Sequence, residues 1–207
     1  MAVTGVIGFG FVLGHLLGNL QYYLGPEVLN EYSAALRRNP GLLLIARLTL
    51  LGAVLAHIIA AVQLTVQNSS ARPQGYREWT ARKSTYAART MKYSGPILGL
   101  FIVYHLLHLT FGTVHPNFKH GPGDVPDTYH NLVAGFSSIP VSLSYIAAMA
   151  FLGFHMSHGI WSMFQSIGFS HPRYTPLIKK FAAVFSWLLI AGFISVPISV
   201  LTGIVRN

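Results

Sequence analysis

The 207-residue chain contains no cysteine and very little charge. The absence of cysteine excludes disulfide bonds, iron–sulfur ligation by this chain and thiolate chemistry. Charged residues make up only 9% of the sequence, whereas about 25% is usual for a soluble domain. None of the five acidic residues lies in a long apolar run, so those runs hold no carboxylate. Histidine, with ten copies, is the one strong transition-metal ligand present in number.

What the chain has in abundance is apolar sequence, with 52% hydrophobic residues and a mean hydropathy of +0.50. About 20 apolar residues in a helix span the ~30 Å hydrocarbon core of a bilayer. Five runs approach or exceed that length, so we predict an all-α integral membrane bundle of five helices, forming one transmembrane domain over residues 1–207. The predicted spans cover approximately residues 2–24, 42–66, 93–114, 139–168 and 181–205.

Basic residues are distributed unevenly between the two sides of the predicted bundle. Because cytoplasmic loops are enriched in Lys and Arg, we expect the N-terminus and both basic connections to be cytoplasmic. We also expect the membrane to be the bacterial inner membrane. The basic residues form no single stripe, so we expect anionic lipid and not nucleic acid as a partner. One side holds Arg72, Arg77, Arg82, Lys83, Arg89, Lys92, Arg173, Lys179 and Lys180, and the other holds Arg37, Arg38, Lys119 and Arg206.

Four of the five apolar runs each carry a histidine within the span: His15, His57, His105 and His155. At ~1.5 Å per residue, His15 and His105 lie about 9 and 15 Å below the outer surface. His57 and His155 lie at similar depths from the inner surface. Two bis-histidine sites stacked across the membrane pair all four residues. Haem iron with two axial histidines fits this arrangement, because its flat macrocycle needs ligands from opposite sides.

Three other uses of intramembrane histidine compete with haem ligation. Hydrogen bonding to a neighbouring hydroxyl or carbonyl group is a common role of a single such residue. Proton relays usually include buried carboxylates, and zinc needs further ligands to complete a tetrahedron. Four histidines, one per span at complementary depths, favour haem. A haem-free membrane scaffold or transporter is the non-enzyme alternative.

Seven short segments carry a resemblance to a known family: MAVTG, GHLLGNLQ, AHIIAAVQL, ARPQGY, ARTMKY, VYHLLHLTFG and FHMSHGIW. They resemble, in order and over nearly the whole chain, the five-helix, di-haem cytochrome b membrane anchors of succinate:quinone oxidoreductases and fumarate reductases. The resemblance implies that His15 and His105 hold an outer haem b and that His57 and His155 hold an inner one. In the third span His105 matches the ligand position and His108 does not.

The resemblance also implies partners for the chain. It would anchor a flavoprotein subunit with covalent FAD and an iron–sulfur subunit at the cytoplasmic face, as in succinate dehydrogenase (respiratory complex II). Dicarboxylate chemistry would reside in the flavoprotein, and electrons would reach menaquinone or ubiquinone directly or by way of the haems. The basic inner loops are the expected docking surface. A fumarate reductase anchor and another di-haem membrane cytochrome, such as a formate dehydrogenase or hydrogenase anchor, are alternatives.

One departure from the family limits what the resemblance implies. One branch of the family has a glutamate two residues before the fourth-span ligand, where it is linked to transmembrane proton movement. Gly153 occupies that position here. We therefore do not expect that function in this chain.

Polar residues near the span ends are candidates for contacts with haem propionates or quinone. Arg47, ten residues outward of His57, suits a propionate or a quinone carbonyl, or else snorkels to the outer surface. His108 and His158 are candidates as spare ligands, propionate partners or quinone contacts. A quinone needs an apolar slot with a few hydrogen-bonding groups. The candidates are Glu27, Glu31 and Arg47 for an outer site, and Arg89, Tyr93, Trp161 and Gln165 for an inner one.

Overall fold

A computed structural model describes residues 1–71 and 85–205 of the chain. Within these two ranges the secondary structure is helical, without strands, and one isolated bridge joins His120 to Pro126. Seven α-helices account for most of it. They are α1 (Ala2–Leu20), α2 (Pro26–Arg37), α3 (Pro40–Ser70), α4 (Tyr86–His105), α5 (Thr128–Phe136), α6 (Ile139–Ser166) and α7 (Thr175–Leu201).

Five of these helices are long and apolar enough to cross a membrane: α1, α3, α4, α6 and α7. A 3-10 turn over Gln21–Leu24 extends α1, and a π-helical turn over Leu106–Thr110 extends α4. The prediction of an all-α protein with five candidate spans is confirmed for the described residues. The length and composition of these five helices are those of a multi-pass membrane protein.

The exposed surface of α3 shows where lipid is expected. Only 6% of its most apolar window is buried, against 39% for α7. Leucine and isoleucine side chains cover the rest, and such a surface is stable against hydrocarbon but costly in water. Helices α6 and α7 pack together most extensively, whereas α3 packs mainly on α1. The bundle therefore has α6 and α7 at its centre and α3 at its edge.

Helices α2 and α5 lie in two of the connections between the predicted spans. Pro26 is the first residue of α2, where its missing N–H costs nothing, and Gly25 turns the chain from α1 into α2 with a φ of 103°. At the start of α5 the Asp127 carboxylate accepts a hydrogen bond from the His130 N–H at 3.1 Å. Both are short helices with buried apolar residues, and we call them the cap helices.

Hydrogen bonds join the two cap helices to each other. The Asn30 side-chain amide donates to the Asp127 carboxylate at 2.9 Å, and the Tyr129 N–H donates to the Asn30 side-chain oxygen at 3.0 Å. The Thr128 hydroxyl donates to the Ser33 hydroxyl at 2.7 Å. A buried apolar cluster attaches this cap to one end of the bundle. Its residues are Tyr22, Leu29, Tyr129, Leu132, Val133, Phe136, Tyr145, Val196 and Val200.

Some helix ends differ from the predicted spans. Helix α4 begins at Tyr86 and α7 at Thr175, each several residues before the apolar run. Lys179 and Lys180 consequently lie in the first turns of α7 and not in a loop. Part of the predicted basic docking surface and the last basic residue lie outside the described residues. Those positions are Arg72, Arg77, Arg82, Lys83 and Arg206.

Candidate functional site

The structure places the four span histidines in two pairs. The ring centres of His15 and His105 are 5.8 Å apart, and those of His57 and His155 are 6.2 Å apart. His105 lies on the side of the cap helices, since its partner Tyr145 belongs to the cap cluster. We therefore call His15 and His105 the cap-side pair, and His57 and His155 the far pair.

Two helices, α1 and α4, independently show how far apart the two pairs lie. On α1, Thr4 contacts the far pair and His15 belongs to the cap-side pair, eleven residues later. On α4, Ser94 contacts the far pair, and His105 of the cap-side pair follows eleven residues later. A rise of ~1.5 Å per residue over eleven residues separates the levels by about 16 Å along the bundle. The two pairs are thus stacked sites and not one cluster.

Each pair joins two helices that otherwise lie apart. Helices α1 and α3 pack together, and so do α4 and α6. Among the described residues, α1 with α4 and α3 with α6 make no comparable backbone contact. The cap-side rings meet between α1 and α4, and the far rings meet between α3 and α6. The histidines therefore face one another across gaps in the helix packing.

The far pair is held by hydroxyl groups at its Nδ1 atoms. Thr4 Oγ1 lies 3.0 Å from Nδ1 of His57, and Ser94 Oγ lies 3.2 Å from Nδ1 of His155. His57 also forms a hydrogen bond to the backbone of Met1. In the described part of the chain no hydrogen bond occupies Nε2 of His155, and that nitrogen is left to bind a metal.

Aromatic rings dominate the surroundings of the cap-side pair. His15 stacks on Phe11 with ring centres 5.2 Å apart, and Phe193 lies 6.0 Å away. His105 has Phe101 at 5.9 Å, and its Nδ1 lies 3.4 Å from the Tyr145 hydroxyl. An apolar, aromatic wall of this kind suits a flat macrocycle better than a hydrated ion.

The residues present fit a haem at each level, which His15 with His105, and His57 with His155, would hold. With metal–nitrogen bonds of about 2 Å on opposite faces of one iron, imidazole centres lie roughly 6 Å apart. The observed separations of 5.8 and 6.2 Å agree with that value. The described residues contain no group of three or more His, Asp or Glu side chains placed to hold a metal ion. A porphyrin supplies four ligands itself, so two histidines suffice.

His108 lies beside the cap-side pair in a separate polar cluster. It sits in the π-helical turn that follows His105, and such turns are often found at functional sites. Its side chain is buried, with Nδ1 2.9 Å from the Tyr145 hydroxyl and its ring stacked on His115 at 4.8 Å. His115 in turn bonds through Nε2 to the Asn131 carbonyl at 2.8 Å. His108 thus contacts the pair through Tyr145.

The residues predicted for an inner quinone site fall into two groups. His158 lies edge-on to Trp161 at 5.8 Å, and Lys179 Nζ lies 4.3 Å above the Trp161 ring. The buried Nδ1 of His158 has no hydrogen-bond partner in the described chain. On α4, Arg89 lies over the Tyr86 ring and Lys92 over that of Tyr93. The quinone-binding role of Arg89 and Tyr93 on α4, and of Trp161 and Gln165 on α6, stays a prediction.

The residues predicted for an outer quinone site are mostly exposed. Arg47 lies on the exposed surface of α3, close to Arg37 of α2. Burial and, next, the Arg47 guanidinium lower the pKa of Arg37 below its ordinary value. Glu31 forms an exposed ion pair with Arg38 at 3.9 Å. Arg47 thus lies toward the cap helices, and its contact with a haem propionate or a quinone stays a prediction.

Sequence reasoning did not single out Thr4, Ser94 or Tyr145. A signal for the first two was present in the spacing. Thr4 stands eleven residues before His15, and Ser94 eleven before His105. Because eleven residues make about three helical turns, each hydroxyl shares a helix face with a paired histidine. Tyr145 had no comparable signal, since its neighbours come from another helix.

Comparison of the chain with family models, curated proteins and solved structures finds no match. The functional assignment consequently depends on the residues and their geometry.

Proposed function

We propose that the chain is the membrane-anchor cytochrome b subunit of a succinate:quinone oxidoreductase, binding two b haems and a quinone. One observation carries the proposal. Two pairs of histidine rings, stacked about 16 Å apart, have the centre-to-centre separation of bis-histidine iron ligands and lie between helices that are otherwise apart. Buried polar side chains inside a membrane bundle are costly unless they are paired or ligating.

The chain's own residues have three tasks in this function. His15 with His105, and His57 with His155, would hold the two haems. Helices α1, α4 and α6 fix the separation of the two levels. The aromatic and aliphatic side chains around the rings exclude water, which influences the potential of a bound redox group. One-electron transfer is the chemistry that the haems supply when bound.

The proposed orientation places the N-terminus in the cytoplasm of a bacterium, so the far pair is the inner one. Lys92 and the first turns of α7, with Lys179 and Lys180, then lie toward the cytoplasmic face. A basic face there is suited to an iron–sulfur subunit carrying a flavoprotein with FAD, and to anionic lipid. The dicarboxylate reaction would take place in that flavoprotein, and menaquinone or ubiquinone would be reduced in the membrane.

A reduced-minus-oxidised spectrum of the purified protein tests the haem assignment. We expect sharp α bands of bis-histidine b haem in the wild type, and their complete loss in a His57→Ala, His105→Ala double variant. His171→Ala is a matched control, because this exposed histidine of the α6–α7 connection belongs to neither pair. A wild type without haem would contradict the proposal and favour a haem-free scaffold.

Purification from native membranes then tests the enzyme. We expect the chain to bring with it a flavoprotein and an iron–sulfur protein that together oxidise succinate with a quinone as acceptor. Co-purification with a formate- or hydrogen-oxidising enzyme instead would assign the chain to another class of di-haem anchor.

A further inference from the structure

Hydroxyl groups lie at Nδ1 of three of the four paired histidines, and each comes from a different helix than its histidine. Thr4 of α1 reaches His57 of α3, and Ser94 of α4 reaches His155 of α6. Tyr145 of α6 reaches His105 of α4. In every case the hydroxyl belongs to the helix packed beside the histidine's own helix. The other histidine of the pair lies across the gap.

The hydrogen-bond direction follows from what else these hydroxyls do. Thr4 Oγ1 donates its proton to the Met1 carbonyl at 2.8 Å, and Ser94 Oγ donates to the Met91 carbonyl at 3.3 Å. A hydroxyl has a single proton, so each oxygen is left to accept from the histidine. With the hydroxyls donating to these carbonyls, we assign the proton to the Nδ1 atoms of His57 and His155. This tautomer leaves the Nε2 lone pair for a metal.

Tyr145 can serve two histidines at once. Its hydroxyl lies 2.9 Å from Nδ1 of His108 and 3.4 Å from Nδ1 of His105. Donation to the nearer His108 leaves the oxygen to accept from His105. His108 is fixed in place because it is buried and its ring is stacked on Tyr104 and His115. The bond to His105 is the longest of the three.

We propose that Thr4, Ser94 and Tyr145 are positioning residues that set the tautomer of the haem-ligating histidines and tune the potentials of the two haems. This inference rests on the proposed function. A hydrogen bond accepted from Nδ1–H increases the basicity of the imidazole as a ligand, which favours oxidised iron. The far pair receives two such bonds and the cap-side pair one, because in the described chain His15 has ring contacts and no hydrogen bond through its side chain.

Optical redox titration of the intact complex tests the inference. Thr4→Val and Ser94→Ala each remove one bond with little change in volume. We expect each to shift the far-pair haem to a more positive potential and to leave the other haem unchanged, with a larger shift in the double variant. Tyr145→Phe should shift the cap-side haem alone. Ser186→Ala is the control, because this fully buried serine of α7 contacts neither pair through a hydrogen bond.

The outcomes separate this inference from the proposed function. The variants Thr4→Val, Ser94→Ala and Tyr145→Phe could each retain both haems with unchanged potentials. That result would overturn the inference and leave the haem assignment standing. No haem in the wild type would overturn the assignment itself. Thr4→Ser keeps the hydroxyl, so loss of the far haem in Thr4→Val with retention in Thr4→Ser supports the inference. Equal loss in both variants would contradict it.

Discussion

The two histidine pairs have the same ring separation but different surroundings. In the far pair, His57 and His155 each have a hydroxyl at Nδ1 and no other aromatic ring contact besides each other in the described chain. In the cap-side pair, aromatic rings surround His15 and His105. The hydrogen bond of this pair joins Nδ1 of His105 to the Tyr145 hydroxyl and is longer than those of the far pair. The comparison teaches that two pairs of the same residue type can differ in what lies at the Nδ1 atom of each ring, which would tune a bound metal differently at the two levels.

The pairs also differ in how deeply the cap covers them. Tyr145 links the cap-side pair to the apolar cluster under α5, and His108 links it to His115 and Asn131 of the cap connection. The far pair has no such cover among the described residues. We therefore expect substitutions in the cap helices to affect the cap-side pair and not the far pair.

The largest expected effect is loss of one haem. On the proposed function, replacing His57 with alanine removes one of the two residues that would hold the far haem, and we expect the haem content to fall by about half while the remaining spectrum stays bis-histidine. His15→Ala should give the complementary result, leaving the far haem. Haem-to-protein ratios and low-temperature spectra of the two variants measure this. A variant that retains both haems would contradict the pairing.

Added volume at Gly135 should disturb the cap-side pair alone. A Cβ atom there would lie 2.8 Å from Cε1 of His108 and 3.1 Å from Nε2 of His115, so the rings must move. We expect Gly135→Ala to destabilise the protein by about 1–3 kcal/mol and to change the cap-side haem spectrum. Thermal unfolding followed at each haem band measures both effects.

Two other glycines provide controls for Gly135→Ala. Gly153 stands two residues before His155, and a Cβ atom at Gly153 would lie 2.9 Å from the Trp187 ring. Gly153→Ala should therefore disturb the far pair instead. At Gly10 a Cβ would meet nothing within 4 Å, and Gly10→Ala should be neutral or stabilising. Equal changes at both haems in Gly135→Ala would contradict the separation of the two pairs.

Loosening the cap should have a smaller effect. Asn30→Ala removes the bond to Asp127 and leaves the Tyr129 N–H without its acceptor, and we expect a loss of about 1–2 kcal/mol of stability. On heating, the cap-side haem should be released before the far one. Thr65→Ala, in the exposed half of α3, removes a hydroxyl that bonds only within its own helix and serves as the control.

The smallest expected effect concerns Phe11. Its ring stacks on His15 with an interplanar angle of 14°, and aromatic pairs of this kind contribute about 0.5–1.5 kcal/mol. Phe11→Leu should lower the retention of the cap-side haem during detergent washing without affecting the far haem. Equal retention of both haems in this variant would show that the stacked ring plays no part in holding His15.

Several features of this protein could be predicted from the amino-acid order. The apolar runs predicted five spans, because a bilayer requires about 20 apolar residues per crossing whatever the neighbouring helix is. Helical rise predicted two histidine levels, because distance along a helix depends only on residue count. The cap helices were missed, since α2 and α5 are short and amphipathic and their polar residues resemble a loop.

The sequence alone determined the number of candidate spans and the histidine in each of the first four. Tertiary structure decided which rings face each other, which hydroxyls reach their Nδ1 atoms, and that Arg47 comes near Arg37 of α2. The physical reason is that residue periodicity specifies depth and helix face, whereas lateral contacts depend on which helices pack side by side. That choice is made by residues far apart in the chain, such as Gly153, whose lack of a Cβ atom lets the Trp187 ring pack closely against α6.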